Sequence, residues 1–110
     1  MAGSVILPEP IATYFITDKR DVEAIAGYFT EDAVVKDEGH TYTGVAAIKQ
    51  WKVESATKYN YTSVPLAVER RDGMIIVTSR LTGNFPGSPV DLRFFFRLER
   101  GKIASLEIIS

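Results

Sequence analysis

The residues best suited to chemistry gather at the end of one short apolar run. In Ala33-Val34-Val35-Lys36-Asp37, strand alternation puts Ala33, Val35 and Asp37 on one face. A carboxyl held on such a face inside an apolar pocket loses water, which raises its pKa and suits it to general acid or base work. His40, the single histidine, follows three residues later and could pair with Asp37 or deliver a proton near neutral pH. Tyr14, further upstream, could donate a phenolic hydrogen bond to a ligand carbonyl. Each has a plainer reading: Asp37 as a solvated strand end or turn cap, His40 as an exposed loop residue, Tyr14 as an aromatic packed at a rim.

A second set could hold a ligand rather than transform it. Trp51, Tyr59, Phe85, Phe94 and Phe96 would suit a planar or fused-ring molecule. Phe15, Val35 and Leu92 would complete that apolar lining. For any single one of these, ordinary core packing is the competing explanation. Asp91 and Arg93 are one strand repeat apart and look outward by phase, as a surface or interface ion pair would. The Phe85-Pro86-Gly87-Ser88-Pro89 loop could shape a pocket mouth or serve only as a stiff connection. Lys19-Arg20 and Arg70-Arg71 read as solvated surface charge.

Positioning these residues requires helices first and strands after. Pro8 and Pro10 suit the opening turn of a helix carrying Ile11, Tyr14 and Phe15. Asp21 is placed to cap a second helix, Val22 to Phe29, with Val22, Ile25, Ala26 and Phe29 on one face. The strand Ala33 to Asp37 follows, then a loop or hairpin over 38–43 turning at Gly39. A third helix is expected from Val45 to about Lys58, anchored by Ile48 and Trp51 and with Lys52 and Ser55 nearby. Beyond it the period becomes two, giving strands at about 59–71, 74–85, 89–99 and 102–109. Asp72-Gly73 marks a tight hairpin. Val90, Leu92, Phe94, Phe96 and Leu98 should face the helices, as should Ile75, Val77, Leu81 and Phe85. This order of elements is the α+β pattern.

Composition removes several function classes. The 110 residues fit one domain, 1–110. With 13 basic and 14 acidic residues the net charge is −1, and no basic stripe gives nucleic acid a footing. The absence of cysteine excludes disulfides, thiolate zinc sites and cysteine nucleophiles, and is compatible with a cytoplasmic protein. One histidine rules out a multi-histidine metal site within a protomer. No signal peptide or membrane span is expected. No phosphate-binding glycine loop, dinucleotide fingerprint or serine nucleophile elbow is present, and nothing requires a cofactor.

Three stretches carry a family likeness: Asp21-Val22-Glu23-Ala24-Ile25 with Tyr28-Phe29-Thr30-Glu31-Asp32-Ala33-Val34-Val35, then Gly44-Val45-Ala46-Ala47-Ile48 with Trp51, then Gly83 to Leu92 and Gly101-Lys102-Ile103. In these the chain resembles the SnoaL-like family of the nuclear-transport-factor-2-like superfamily, which includes ketosteroid isomerases and polyketide cyclases. The resemblance implies a cone: a curved, mixed but mainly antiparallel sheet wrapped by three N-terminal helices around an apolar pocket. It also implies that Asp37 stands where isomerase-like members place a proton-shuttling aspartate, and Tyr14 near a first-helix tyrosine that binds the carbonyl. The isomerase pattern needs a second, protonated acid on a late strand. Phe94 occupies that place, which argues against steroid isomerisation itself.

Three functions follow as expectations. The first is a cofactor-free isomerase, cyclase or lyase acting on a small apolar carbonyl compound by proton transfer at carbon. The second is a binding module for a small apolar ligand. The third is a homodimerising domain whose outer sheet face, with Arg93, Phe95 and Arg97, forms the interface.

Overall fold

The computed structural model describes residues 6–17, 21–58 and 60–110. Lys19, Arg20 and Tyr59, named above, lie outside the described residues. Helix α1 spans Glu9–Ile16. Pro10 falls in its first turn, where a missing N–H costs nothing, and Ile11 and Tyr14 turn inward. A 3-10 turn, Val22–Ala24, leads into the single helical turn α2, Ile25–Tyr28.

The second helix is therefore shorter than its periodicity suggests. Gly27 is a weak helix former, and Phe29 already pairs with Ile103 across the sheet. Strand β1 accordingly runs Phe29–Asp37 instead of beginning at Ala33. Asp21 precedes the 3-10 turn but makes no side-chain cap.

Strand β2, His40–Thr43, returns beside β1 and is followed by helix α3, Val45–Lys58. The long strands are β3 (Tyr61–Arg71), β4 (Met74–Gly83), β5 (Val90–Glu99) and β6 (Lys102–Ile109). Three hairpins share one device: Glu38-Gly39, Asp72-Gly73 and Arg100-Gly101 each place two successive residues at positive φ, as a twist-matched two-residue turn demands. Strand β4 stops at Gly83, two residues before the expected end. A Cβ there would overlap the Asn60 carbonyl oxygen, so the close approach of β3 and β4 needs glycine. Asn84 closes that end, its Oδ1 accepting from the Asn60 N–H at 2.9 Å.

The sheet order is β2-β1-β6-β5-β4-β3. Every neighbouring pair is antiparallel except β1 and β6, so the first and last strands lie side by side and parallel. The three helices pack on one face. Ile25, Phe29, Val35, Ile48, Val77 and Phe96 are almost fully buried in the core between the layers. On the opposite face Arg80, not Arg93, pairs with Asp91, Nε to Oδ1 at 2.8 Å and Nη2 to Oδ2 at 3.2 Å. Arg80 and Asp91 are direct cross-strand neighbours, whereas Arg93 stacks on the Phe95 ring 5.6 Å away. Among the described residues no helix is long and apolar enough to cross a membrane.

Candidate functional site

The core does not fill the whole space under the helices. Toward one end of the sheet it opens into a cavity of about 890 Å³. Helix α1 contributes Tyr14 and Phe15, α3 contributes Trp51 and Lys52, and β5 contributes Leu92 and Phe94. Asp37 reaches the same space from the end of β1, on the face it shares with buried Ala33 and Val35.

Asp37 is fixed by a specific contact. The indole Nε1 of Trp51 donates to Asp37 Oδ2 at 3.0 Å. Burial raises the Asp37 pKa from its ordinary value, and this exceeds the lowering by the Trp51 hydrogen bond. The neighbouring charge of Glu38 raises it further, while the Glu38 backbone N–H and His40 act the other way. The net result is a half-buried carboxyl that holds a proton more readily than a surface aspartate.

Tyr14 is buried, and burial pushes its phenol well above its ordinary range, reinforced by Tyr61, Tyr28 and Asp37. It stays protonated, a hydrogen-bond donor, throughout the neutral range. Its ring meets Phe15 edge-on at 5.0 Å and Phe96 at 5.6 Å. Phe94 stacks on Phe96 at 6.4 Å, with Phe94 on the cavity and Phe96 behind it.

The expected residues separate into groups. Asp37, Tyr14, Phe15, Trp51, Leu92 and Phe94 converge on the cavity. Val35 and Phe96 do not line it: both are fully buried beneath it, where β1 and β5 pack against the helices. Phe85 lies outside the lining as well, because β4 ends at Gly83 and the chain has bent away before it. His40 is exposed on β2, on a smaller cavity of about 230 Å³ that Asp37 also touches. It is the cross-strand neighbour of Asp37 but does not line the large cavity.

Several lining residues are not among the expected ligand contacts, although helical spacing places Lys52 near Trp51. Lys52 is only 8% exposed, its Nζ 4.6 Å from the Tyr14 ring centre and 5.3 Å from that of Trp51. Tyr61, Ser63 and Asn60 bring polar atoms from β3 and the segment before it. Ser63 Oγ lies 2.7 Å from the fully buried Ser79 Oγ, a hydroxyl pair that satisfies both. The cavity is thus not simply apolar: an aromatic wall faces a polar one. Helical spacing held the clue, since Ile48, Lys52, Ser55 and Ala56 fall on one stripe of α3. Among the described residues no cluster of three or more histidine, cysteine, aspartate or glutamate side chains could hold a metal ion.

Comparison with known proteins matches this architecture. A protein assigned as a polyketide cyclase from Sinorhizobium meliloti is 39% identical, with a TM-score of 0.87 over 93% of this chain and 94% of that one. A ketosteroid isomerase-like fold from Catenulispora acidiphila, solved with trimethylamine, is 20% identical, with a TM-score of 0.75 over 96% and 87%. SalBIII, an epoxide hydrolase/cyclase-like enzyme in pyran ring formation of the polyether salinomycin, is 23% identical, with a TM-score of 0.76 over 92% and 87%. No curated protein sequence matches. The model of the SnoaL-like domain matches residues 12–106. With nearly its whole length matched, and with helices, mixed sheet and cavity arranged as described, the chain belongs to the SnoaL-like family of the nuclear-transport-factor-2-like fold.

Proposed function

We propose that the protein binds a small unsaturated carbonyl compound in the large cavity and moves a proton to or from its carbon, with Asp37 as base and acid. The observation that carries this is the Asp37 carboxyl at the cavity, oriented by the Trp51 indole and partly desolvated, so that it takes up a proton more readily than a solvated carboxylate. Tyr14, held neutral, would donate to the carbonyl oxygen, and Phe15, Leu92 and Phe94 would hold the hydrocarbon part. His40, outside the large cavity, would act only by exchanging a proton with its cross-strand neighbour Asp37. No cofactor is needed for such a step. The assignment of the Sinorhizobium meliloti relative as a cyclase supports chemistry of this class.

The test is deuterium uptake at the α-carbon of 1-tetralone in D2O, followed by proton NMR. The wild-type chain should accelerate exchange over buffer and Asp37→Asn should not. Equal rates for the two proteins would overturn the reading.

A second reading is a binding module without chemistry. It is favoured by Phe94, which stands where isomerase relatives carry their second acid and leaves Tyr14 without that partner. It predicts ligand binding that survives Asp37→Asn with no exchange in either protein.

We further propose a homodimer through the outer sheet face. Phe95 is half-buried there, Ile109 is 37% exposed beside Arg93, and Val64 is 55% exposed beside Arg80. An apolar strip rimmed by arginines and the Arg80–Asp91 pair suits a self-complementary interface. The lack of cysteine agrees with a cytoplasmic setting.

A further inference from the structure

The buried ammonium of Lys52 has no part in the proton transfer just described. Lysine is rarely buried this completely, because its charge is costly away from water unless other groups compensate it. Here the ammonium rests against the faces of Tyr14 and Trp51, at 4.6 and 5.3 Å from their centres. Aromatic faces attract a cation through their quadrupole, so the two rings help hold the charge at the cavity wall. Ser55 and Asn60, both lining the same cavity, add polar groups to that side.

Charge is distributed unequally across this space. Trp51 separates two ionisable groups: its N–H holds Asp37, and its ring face carries Lys52. A ligand spanning the cavity therefore meets a cation at one place and a proton-exchanging carboxyl at another. One lysine is a compact single charge with no bidentate fork, which suits a monoanion better than a phosphate ester. The aromatic wall of Phe15 and Phe94 suits a flat, conjugated body.

We propose that Lys52 is the anion-binding subsite of the cavity and that the ligand is a planar, unsaturated carboxylate. Its carboxylate lies beside the Lys52 ammonium and its conjugated carbon chain extends toward Asp37. This rests on the cavity being the ligand site and specifies which carbonyl compounds enter it.

The experiment uses trans-cinnamate and the isosteric neutral trans-cinnamamide with the full chain. Affinity is read by calorimetry. Occupancy of this cavity is read from the NMR signal of the single indole N–H, which belongs to Trp51. Wild-type protein should bind cinnamate about tenfold more tightly than cinnamamide, the advantage of a charge-assisted contact. Lys52→Met should abolish that preference without weakening the amide, and Lys52→Arg should keep it. The wild-type comparison stands even where Lys52→Met does not fold. Cinnamamide binding as well as cinnamate, or a preference that survives Lys52→Met, overturns the subsite while leaving the cavity as the ligand site. If neither compound moves the indole signal, both the subsite and the ligand-site reading fall.

Discussion

Trp51 and Asp37 are joined by one hydrogen bond, indole Nε1 to carboxylate Oδ2 at 3.0 Å, linking the middle of α3 to the end of β1. The bond fixes the carboxyl at the cavity and opposes the rise in its pKa that burial causes. Both partners are therefore sensitive points of the site, but they should respond to mutation in opposite directions.

Asp37→Asn is expected to stabilise the protein near neutral pH. The folded-state pKa of Asp37 lies above the unfolded value of about 4. Between those two values the folded state binds more protons than the unfolded one, so stability falls as pH rises through that window. Asparagine carries no charge to desolvate and escapes the penalty. Melting temperatures should be higher for Asp37→Asn at about pH 7, and the gap should close below about pH 4. A gap that widened on acidification would reverse the assigned sign.

Trp51→Phe should do the opposite. It removes the donor to Asp37 and leaves a void in place of part of a side chain that is only 5% exposed. The combined cost should be about 2 kcal/mol in chemical denaturation. The Asp37 pKa, followed by carboxyl carbon NMR, should climb further once the N–H is gone.

Phe94 and Phe96 are neighbours in a stack but differ in what lies beyond them. Phe96→Ala opens a closed hole in the core and should cost about 3–5 kcal/mol. Phe94→Ala enlarges a cavity that already exists and should cost less. It should also weaken the binding of flat aromatic probes, which Phe96→Ala should change little if the fold survives. Urea denaturation and calorimetric titration of the two variants make the comparison.

The outer face offers an independent test. Sedimentation of the wild-type chain should give twice the 12.2 kDa of one protomer. Phe95→Arg, which adds a charge to the centre of the strip, should yield the single-chain mass. A wild-type monomer at all accessible concentrations removes the dimer.

Much of this was legible in the residues. Alternation along Val90 to Leu98 correctly separated Phe94 and Phe96 from Arg93 and Arg97. The face shared by Ala33, Val35 and Asp37 carries the half-buried Asp37 to the cavity. What local pattern could not give was how far the core extends. Val35, Phe94 and Phe96 all point inward, yet only Phe94 meets the cavity, because the boundary is set by how α1 and α3 close over the sheet. Helical spacing placed Lys52 near Ile48 and Trp51, but its role in the site was not legible for a related reason. A lysine on a helix is usually solvated, and only the positions of Tyr14 and Trp51 show that this one is enclosed.

The parallel pairing of β1 with β6 has a consequence for biosynthesis. β6 is made after the other five strands of the sheet yet stands between β1 and β5. Until it leaves the ribosome, the β1–β2 hairpin and the β3–β4–β5 meander are two separate pieces with no shared ladder. The closing segment is thus the keystone of assembly, and a nascent chain lacking Ile103 and Leu106 would expose both halves of its unfinished interior to chaperones or proteases.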